Sequence, residues 1–336
     1  MAKIKNSIII SYQQEMSLHA QAELKTADGQ AEFTPLDDET ALVSTVLDFA
    51  KIVKIFAKQP PVFIRHIHPV RVTVTLDGQS DLDAIADAVA SLDVHPVSTF
   101  SVQTRILLKN TRGYTPFDLN NRVSSLINGV LDVKAPNEVL SITVCENKAY
   151  IGFSAARDNL SSWAGGRIRF RHEPEQISRA EFKLLEAQDS FGFAIAKGNR
   201  VLDLGAAPGG WSRIALSQGA SVVAVDPALL DESLAGKSGI THVKATAQEY
   251  LETVEGEFDF ILNDMRMAPE ESAALINRFH PYLKQGGMVV LTLKLFGDAP
   301  RRQMLKAIST LENYYEVLNV RQLFHNRSEV TVILKK

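Results

Sequence analysis

Apolar and polar positions follow different rhythms in the two halves of the chain. Toward the amino terminus the runs are short and change period. Ser7 to Tyr12 is an apolar run that predicts a strand, and Glu15 to Lys25, with Met16, Leu18 and Ala22, predicts a helix after it. Residues 63–76 are β-branched and partly alternating, as a half-buried strand requires, and Asp81 to Leu92 has a helical period. Ser101 to Leu108 alternates again, and Phe117 to Leu131 predicts an amphipathic helix. Val139 to Val144 and Ala149 to Phe153 predict a hairpin around Glu146-Asn147-Lys148. The expectation is a mixed α+β domain over residues 1–165.

Beyond Gly165-Gly166 the strands become continuous apolar runs: Val201 to Leu204, Ala220 to Val225, Ile240 to Ala245, Phe258 to Asn263 and Met288 to Leu295. Strands of that kind alternating with helices imply an α/β domain with a parallel sheet over residues 166–336. Tyr315 to Val320 and Glu329 to Leu334 are separated only by residues 321–328, which favours an antiparallel closing pair. The first of these strands runs through Asp203 into Gly205-Ala206-Ala207-Pro208-Gly209-Gly210-Trp211, a glycine turn at the carboxyl edge, where open α/β sheets bind nucleotide-like ligands. The spacing is neither the dinucleotide fingerprint nor a P-loop. A loop without a pyrophosphate cradle suits a ligand without phosphates, and S-adenosylmethionine fits that description. The second strand ends in Asp226, where an acid can accept from both ribose hydroxyls of an adenosine cofactor.

Length and charge limit the partners. A chain of 336 residues suits two domains, and the net charge of -3 excludes a chain basic throughout. Residues 1–165 carry 15 Lys/Arg against 18 Asp/Glu, and residues 166–336 carry 21 against 21, so nucleic acid must use local patches. Two candidates are a strand-to-helix turn with Arg105, Lys109, Arg112 and Arg122, and a comb of Arg167, Arg169 and Arg171 in an extended segment, each weighed against a merely solvated face. A single cysteine, Cys145, excludes an internal disulfide and a Cys-based zinc cluster, and no metal site is expected. No run is long enough to span a membrane and no leader pattern is visible, so a cytoplasmic protein is expected.

Four ionisable residues fall where they can converge on the ligand edge. Ser178 and Glu181 form a capping pattern that opens a helix and sets Lys183 within it. Asp264 follows the fourth strand, Lys294 ends the fifth and Glu329 opens the last. A lysine at the end of an apolar run is depressed by burial and by a neighbouring cation, which suits a general base. Its plainer reading is a strand-end lysine reaching for solvent.

Ser178-Arg179-Ala180-Glu181-Phe182-Lys183, the Asp203 to Trp211 turn, Asn263-Asp264-Met265, Leu293-Lys294-Leu295 and Ser328-Glu329-Val330 resemble the successive motifs of the FtsJ-type RNA ribose 2′-O-methyltransferases. The segment Arg321 to Val332 resembles the bacterial RlmM type, which modifies a cytidine ribose of large-subunit (23S) ribosomal RNA and carries an amino-terminal THUMP RNA-binding module. The likeness covers about residues 176–336 and is weaker for residues 1–165. It implies a Rossmann-like methyltransferase domain, with a mostly parallel seven-stranded sheet and an antiparallel closing strand, preceded by a THUMP-like domain. It implies S-adenosylmethionine held by Ser178, Ala207, Pro208, Gly209, Gly210, Trp211, Asp226, Thr246 and Asp264, and catalysis by Lys183, Asp264, Lys294 and Glu329. Lys294 is then the base, Asp264 orients it, Lys183 keeps it deprotonated and Glu329 positions Lys183. Thr246 departs from the pattern, standing where the family has an acid. The partner implied is RNA, with no DNA and no membrane, and the chain is expected to be a monomer.

Other chemistries lack their residues. Amino-group methylation of bases calls for an Asn-Pro-Pro-Tyr-like loop where this chain has Asn263-Asp264-Met265-Arg266, and cytosine C5 methylation needs a cysteine where Cys145 is remote. The rival from another class is an RNA-binding or ribosome-assembly factor that keeps the fold with little turnover.

Overall fold

The computed structural model describes residues 5–108, 112–297 and 299–336, and the chain divides into two compact units after Ile168.

The first unit holds two sheets. Strands β1 (Asn6–Ser11), β2 (Glu32–Asp37), β3 (Thr40–Thr45) and β4 (His66–Val70) form a four-stranded antiparallel sheet in the order β2-β3-β1-β4, accompanied by helices α1 (Ser17–Ala27) and α2 (Phe49–Lys58). The central strand β1 is covered on both faces, which is why Ile8, Ile9 and Ile10 are all buried. Strands β5 (Val72–Thr75), β6 (Thr99–Ile106), β7 (Val130–Leu131), β8 (Glu138–Cys145) and β9 (Lys148–Ala155) form a second sheet in the order β5-β9-β8-β6-β7. Helices α3 (Asp81–Ser91) and α4 (Pro116–Ser124) accompany it. The run over residues 63–76 is therefore two strands in different sheets and not one. The helix expected from Phe117 to Leu131 stops at Ser124, and the remainder turns into β7, which pairs with Thr99 and Phe100. Strand β2 shows no clear period, since it is largely exposed and carries Pro35, whereas α2 has a strong helical period with Ile52 and Phe56 buried on one face, and sequence reasoning passed over it.

The second unit begins with α5 (Glu181–Phe191). It continues through β10 (Arg200–Leu204), α6 (Gly210–Ser217), β11 (Ser221–Val225), β12 (Ile240–Val243), α7 (Ala247–Tyr250), β13 (Phe258–Asn263), α8 (Pro269–Phe279), β14 (Leu283–Lys294), α9 (Pro300–Leu311), β15 (Glu316–Arg321) and β16 (Glu329–Lys335). The seven strands lie in the order β12-β11-β10-β13-β14-β16-β15. The strands from β10 to β14 pair in parallel, and β16 enters antiparallel between β14 and β15. This is the expected Rossmann-like, mostly parallel seven-stranded sheet with an antiparallel closing strand. Strand order reverses at β10 and β13, and the carboxyl ends of those two strands open onto one crevice. Val201, Leu202, Leu262, Val290 and Ile333 are buried in the sheet. No described helix is long and apolar enough to cross a membrane.

Candidate active site

Four charged side chains meet at the carboxyl edge of β13 and β14, each delivered by a different element. Lys183 stands on the first turns of α5, Asp264 directly follows β13, Lys294 ends β14 and Glu329 opens β16. The antiparallel register sets Lys294 directly opposite Glu329. Lys183 Nζ donates to Asp264 Oδ1 at 3.1 Å and Oδ2 at 3.0 Å and reaches Glu329 Oε1 at 2.6 Å. Lys294 Nζ donates to Asp264 Oδ1 and Glu329 Oε2. Each ammonium thus bridges both carboxylates. Sequence reasoning paired Asp264 with Lys294 and Glu329 with Lys183; the structure makes each acid serve both lysines.

Solvent retains a narrow approach, since Lys183 and Lys294 side chains are 17% and 11% exposed. Burial works against the Lys183 ammonium, yet Asp264 and Glu329 outweigh it and hold its pKa above the ordinary lysine value. For Asp264 burial likewise favours the neutral acid, and the cations of Lys294 and Lys183 win, holding its pKa below the usual carboxylate range. Lys183 is thus held as a cation in this ring.

Thr292 was missed by sequence reasoning. Its hydroxyl donates to Asp264 Oδ1 at 2.6 Å and accepts from Lys294 Nζ at 2.8 Å. The signal was available, because a residue two before Lys294 on a strand shares its face. Asn326 Nδ2 donates to Glu329 Oε1 at 3.5 Å. Its loop is tied down by Glu186, whose carboxylate accepts from the amides of Phe324 and His325 at 2.7 and 2.8 Å.

The glycine turn lies beside this cluster. Gly209 has φ of +112°, open to glycine, and a Cβ there would come 2.3 Å from Leu234 Cδ1. A Cβ on Gly210 would come 2.4 Å from Ser178 Oγ. That hydroxyl is buried and makes no hydrogen bond among the described residues. The expected capping box is therefore half formed: Glu181 reaches back to the amides of Ile177 and Ser178 at 2.7 and 3.3 Å, while Ser178 Oγ is left facing the turn. A bare backbone with an unspent hydroxyl beside it fits the polar end of a small ligand. Asp226 fixes the other side of the loop, accepting from Ala207 N at 3.0 Å and Ala228 N at 2.8 Å.

Two of the residues expected at the cofactor are otherwise engaged. The Trp211 side chain is buried in the core and its Nε1 donates to Ala180 O at 2.7 Å, so it anchors α5 to α6. The Thr246 hydroxyl is the cap of α7: it accepts from Glu249 N at 3.2 Å and donates to Glu249 Oε2 at 2.8 Å. A hydroxyl spent in a capping box is a poor ligand group.

The two basic patches also change character. Arg105 lies in β6 and not in a turn, with Nη1 donating to Ser11 Oγ at 2.9 Å and Nη2 to Thr40 Oγ1 at 3.1 Å. Burial, and then the charge of Arg167, lowers its pKa to about 10. Arg112 pairs with buried Asp81 and donates to Glu146 O, while Arg122 bonds Asp83 at 3.0 Å. These guanidiniums brace the first unit, and Lys109 lies outside the described residues. In the comb, Arg167 is paired with Glu39, leaving Arg169 and Arg171 exposed while the intervening Phe170 stacks on Phe182 with ring centroids 5.8 Å apart. Among the described residues no cluster of His, Cys, Asp and Glu could hold a metal ion.

Comparison with known proteins gives a match over residues 176–322 to the family of FtsJ-like methyltransferases. An uncharacterized protein of Methanocaldococcus jannaschii is 28% identical over 172 residues, covering 49% of this chain and 48% of its own. The ribosomal RNA large subunit methyltransferase M of Psychromonas ingrahamii is 30% identical over 202 residues, 56% of this chain and 54% of its own. That of Alteromonas mediterranea is 26% identical over 324 residues, 89% of this chain and 85% of its own. The chain spans about half the length of the first two relatives and most of the third.

Proposed function

We propose, on the premise that residues 176–322 form an FtsJ-like methyltransferase domain, that this chain methylates a ribose 2′-hydroxyl of RNA, a cytidine of large-subunit ribosomal RNA, using S-adenosylmethionine. The observation that carries this reading is the interlocked ring of Lys183, Asp264, Lys294 and Glu329 beside a glycine turn with an unspent serine hydroxyl. The cofactor supplies an electrophilic methyl on a sulfonium, so no metal is needed. Ser178, the Ala207 to Gly210 turn and Asp226 hold it, Asp226 while continuing to bind the Ala207 amide.

Lys294 Nζ in its neutral form accepts the 2′-hydroxyl proton as the oxygen becomes a nucleophile. Lys183 remains charged between two carboxylates and steadies the negative charge that develops on that oxygen. Asp264 and Glu329 keep both nitrogens in place, and Thr292 fixes which Asp264 oxygen faces Lys294. With Lys294 neutral, one cation is balanced by two carboxylates, and this net negative ring favours recapture of a proton and completion of transfer.

The amino-terminal unit is read as a THUMP-like RNA-binding module, and exposed Arg169 and Arg171 as phosphate contacts. The chain acts in the cytoplasm as a monomer. The test is transfer from labelled S-adenosylmethionine to large-subunit ribosomal RNA, followed by nuclease mapping of the label. Label on a cytidine 2′-oxygen is expected. RNA bound without label would favour an assembly factor, and label on a base would overturn the reading.

A further inference from the structure

Among the described residues, strand β6 is paired along most of its length on one edge only. It pairs with β8 from Phe100 to Ile106, but on its other side β7 covers only Thr99 and Phe100. The Phe100 carbonyl, which accepts from Asp132 N at 2.8 Å, points to the β7 side. Strand alternation then sends the N–H and C=O of Val102 and Thr104 to that side as well, past the end of β7.

What lies along this edge is a cleft of about 410 Å³ lined by Ser101, Thr104, Asn120, Lys134 and Trp163 among others. Its lining is unusual for a surface groove. Ser101 and Thr104 are only 2% and 7% exposed, yet Ser101 Oγ, Thr104 Oγ1 and Asn120 Oδ1 are buried without a hydrogen-bond partner among the described residues. Such groups are costly unless something satisfies them. The Trp163 ring is 38% exposed at the rim. Its segment is fixed to the strand by Gln103 Nε2, which donates to Ser162 O at 2.6 Å. Lys134 is exposed on the other rim.

We propose that this cleft is a binding subsite for one unpaired RNA nucleobase, stacked on Trp163, hydrogen-bonded by Thr104, Ser101 and Asn120, with Lys134 on its phosphate. A planar heterocycle lying across the strand edge can reach Ser101 from one face of β6, Thr104 and Asn120 from the other, and between them the outward N–H and C=O of Val102 and Thr104, for which no partner is found among the described residues. The volume suits a small ligand, and indole stacking is how proteins hold single-stranded bases. An extended peptide would need a longer run of free edge than two residues provide. The inference rests on the reading that this chain binds RNA and adds a base-reading site remote in sequence from the lysine cluster.

The test uses the full chain and short single-stranded oligouridylate, oligocytidylate and oligoadenylate as probes. Of the two tryptophans, Trp211 is buried and internally bonded, so fluorescence quenching by an oligonucleotide reports on Trp163. Quenching is expected in the parent, and the anisotropy of end-labelled oligonucleotide, which needs no tryptophan, should show affinity falling about tenfold in Trp163→Ala, the size of one lost stacking contact. Trp163→Phe should retain affinity within about threefold, while Thr104→Val and Asn120→Ala should each weaken binding several-fold and alter the preference among the three probes. Calorimetry with S-adenosylmethionine should give parent values for all four variants. Unchanged oligonucleotide affinity in Trp163→Ala, or quenching by a valine- and threonine-rich extended peptide and not by RNA, would overturn the proposal. Lys294→Ala, which should lose methyl transfer and keep the parent's quenching, separates the two readings. Quenching without methyl transfer in the parent would remove the enzyme and leave the subsite, and transfer without quenching would do the reverse.

Discussion

Both units bury charge, but with different side chains. In the second unit two lysines and two carboxylates interlock at the sheet edge; in the first, Arg105 is sealed against Ser11 and Thr40 and Arg112 against Asp81. Guanidinium stays protonated in proteins, so the arginines can hold parts together and do no more. Ammonium can release and recover a proton. The same investment in buried charge therefore yields a brace in one place and a proton-transfer device in the other, and the choice of cation separates them. Asp203 is a third arrangement, with a buried carboxyl that is bonded by Ser212, through its Oγ at 2.6 Å and its backbone N–H, and that has no ion pair among the described residues. Burial, despite those bonds, pushes its pKa up to about 7.

The most severe way to break the contrast is Lys294→Arg, which keeps the charge and removes the labile proton. Methyl transfer should fall by about 10²- to 10⁴-fold, the usual worth of a general base, with S-adenosylmethionine affinity near that of the parent. Transfer rates paired with calorimetry check this, and an active arginine variant would take Lys294 out of the proton step.

Asp203→Asn sharpens the comparison by deleting the charge that has no cation. A carboxyl whose folded pKa is raised stabilises the fold fully below its unfolded value near 4, and that contribution is lost as pH rises through about 7. Melting curves should therefore show the variant gaining on the parent between pH 5 and pH 8, reaching roughly 2–4 kcal/mol. Parallel pH profiles would show that Asp203 ionises without cost.

Arg105→Lys asks the reverse question of the first unit. One ammonium cannot span the two hydroxyls that the guanidinium fork reaches, so stability should drop by about 1 kcal/mol, with methyl transfer at saturating RNA unaltered. Thr246→Asp is expected to be the mildest. Aspartate caps a helix as well as threonine does, so stability should stay within about 0.5 kcal/mol. Cofactor affinity should improve if a carboxylate there reaches the adenine, and unchanged calorimetric affinity would assign that contact elsewhere.

Much of the second unit could be read from sequence because parallel strands buried on both faces appear as unbroken apolar runs. Lys294 and Asp264 stand out because they end such runs. The first unit was harder. Arg105 and Arg112 look like free cations until Ser11, Thr40 and Asp81, far off in sequence, are folded against them. The run over residues 63–76 keeps its β-branched character while passing from one sheet into another at Arg71, so composition alone gave no sign of the break. Trp211 sits in a ligand-binding motif yet faces the core, and only the acceptor at Ala180 shows which way the ring turns.

The pairing of Lys294 with Glu329 across two antiparallel strands also governs how errors in the chain are tolerated. Residues 322–328 precede β16 as a connection held by Glu186 at the amides of Phe324 and His325 and by Asn326 at Glu329, so its length is fixed as well, and a one-residue slip of β16 against β14 would turn every side chain of that strand to the opposite face. Glu329 would leave the lysines just as the apolar residues of β16, buried on both faces, lost the partners they pack against. A shift that spoils the chemistry thus spoils the packing with it, so a folded chain with this strand out of register and the ring broken is not an accessible state.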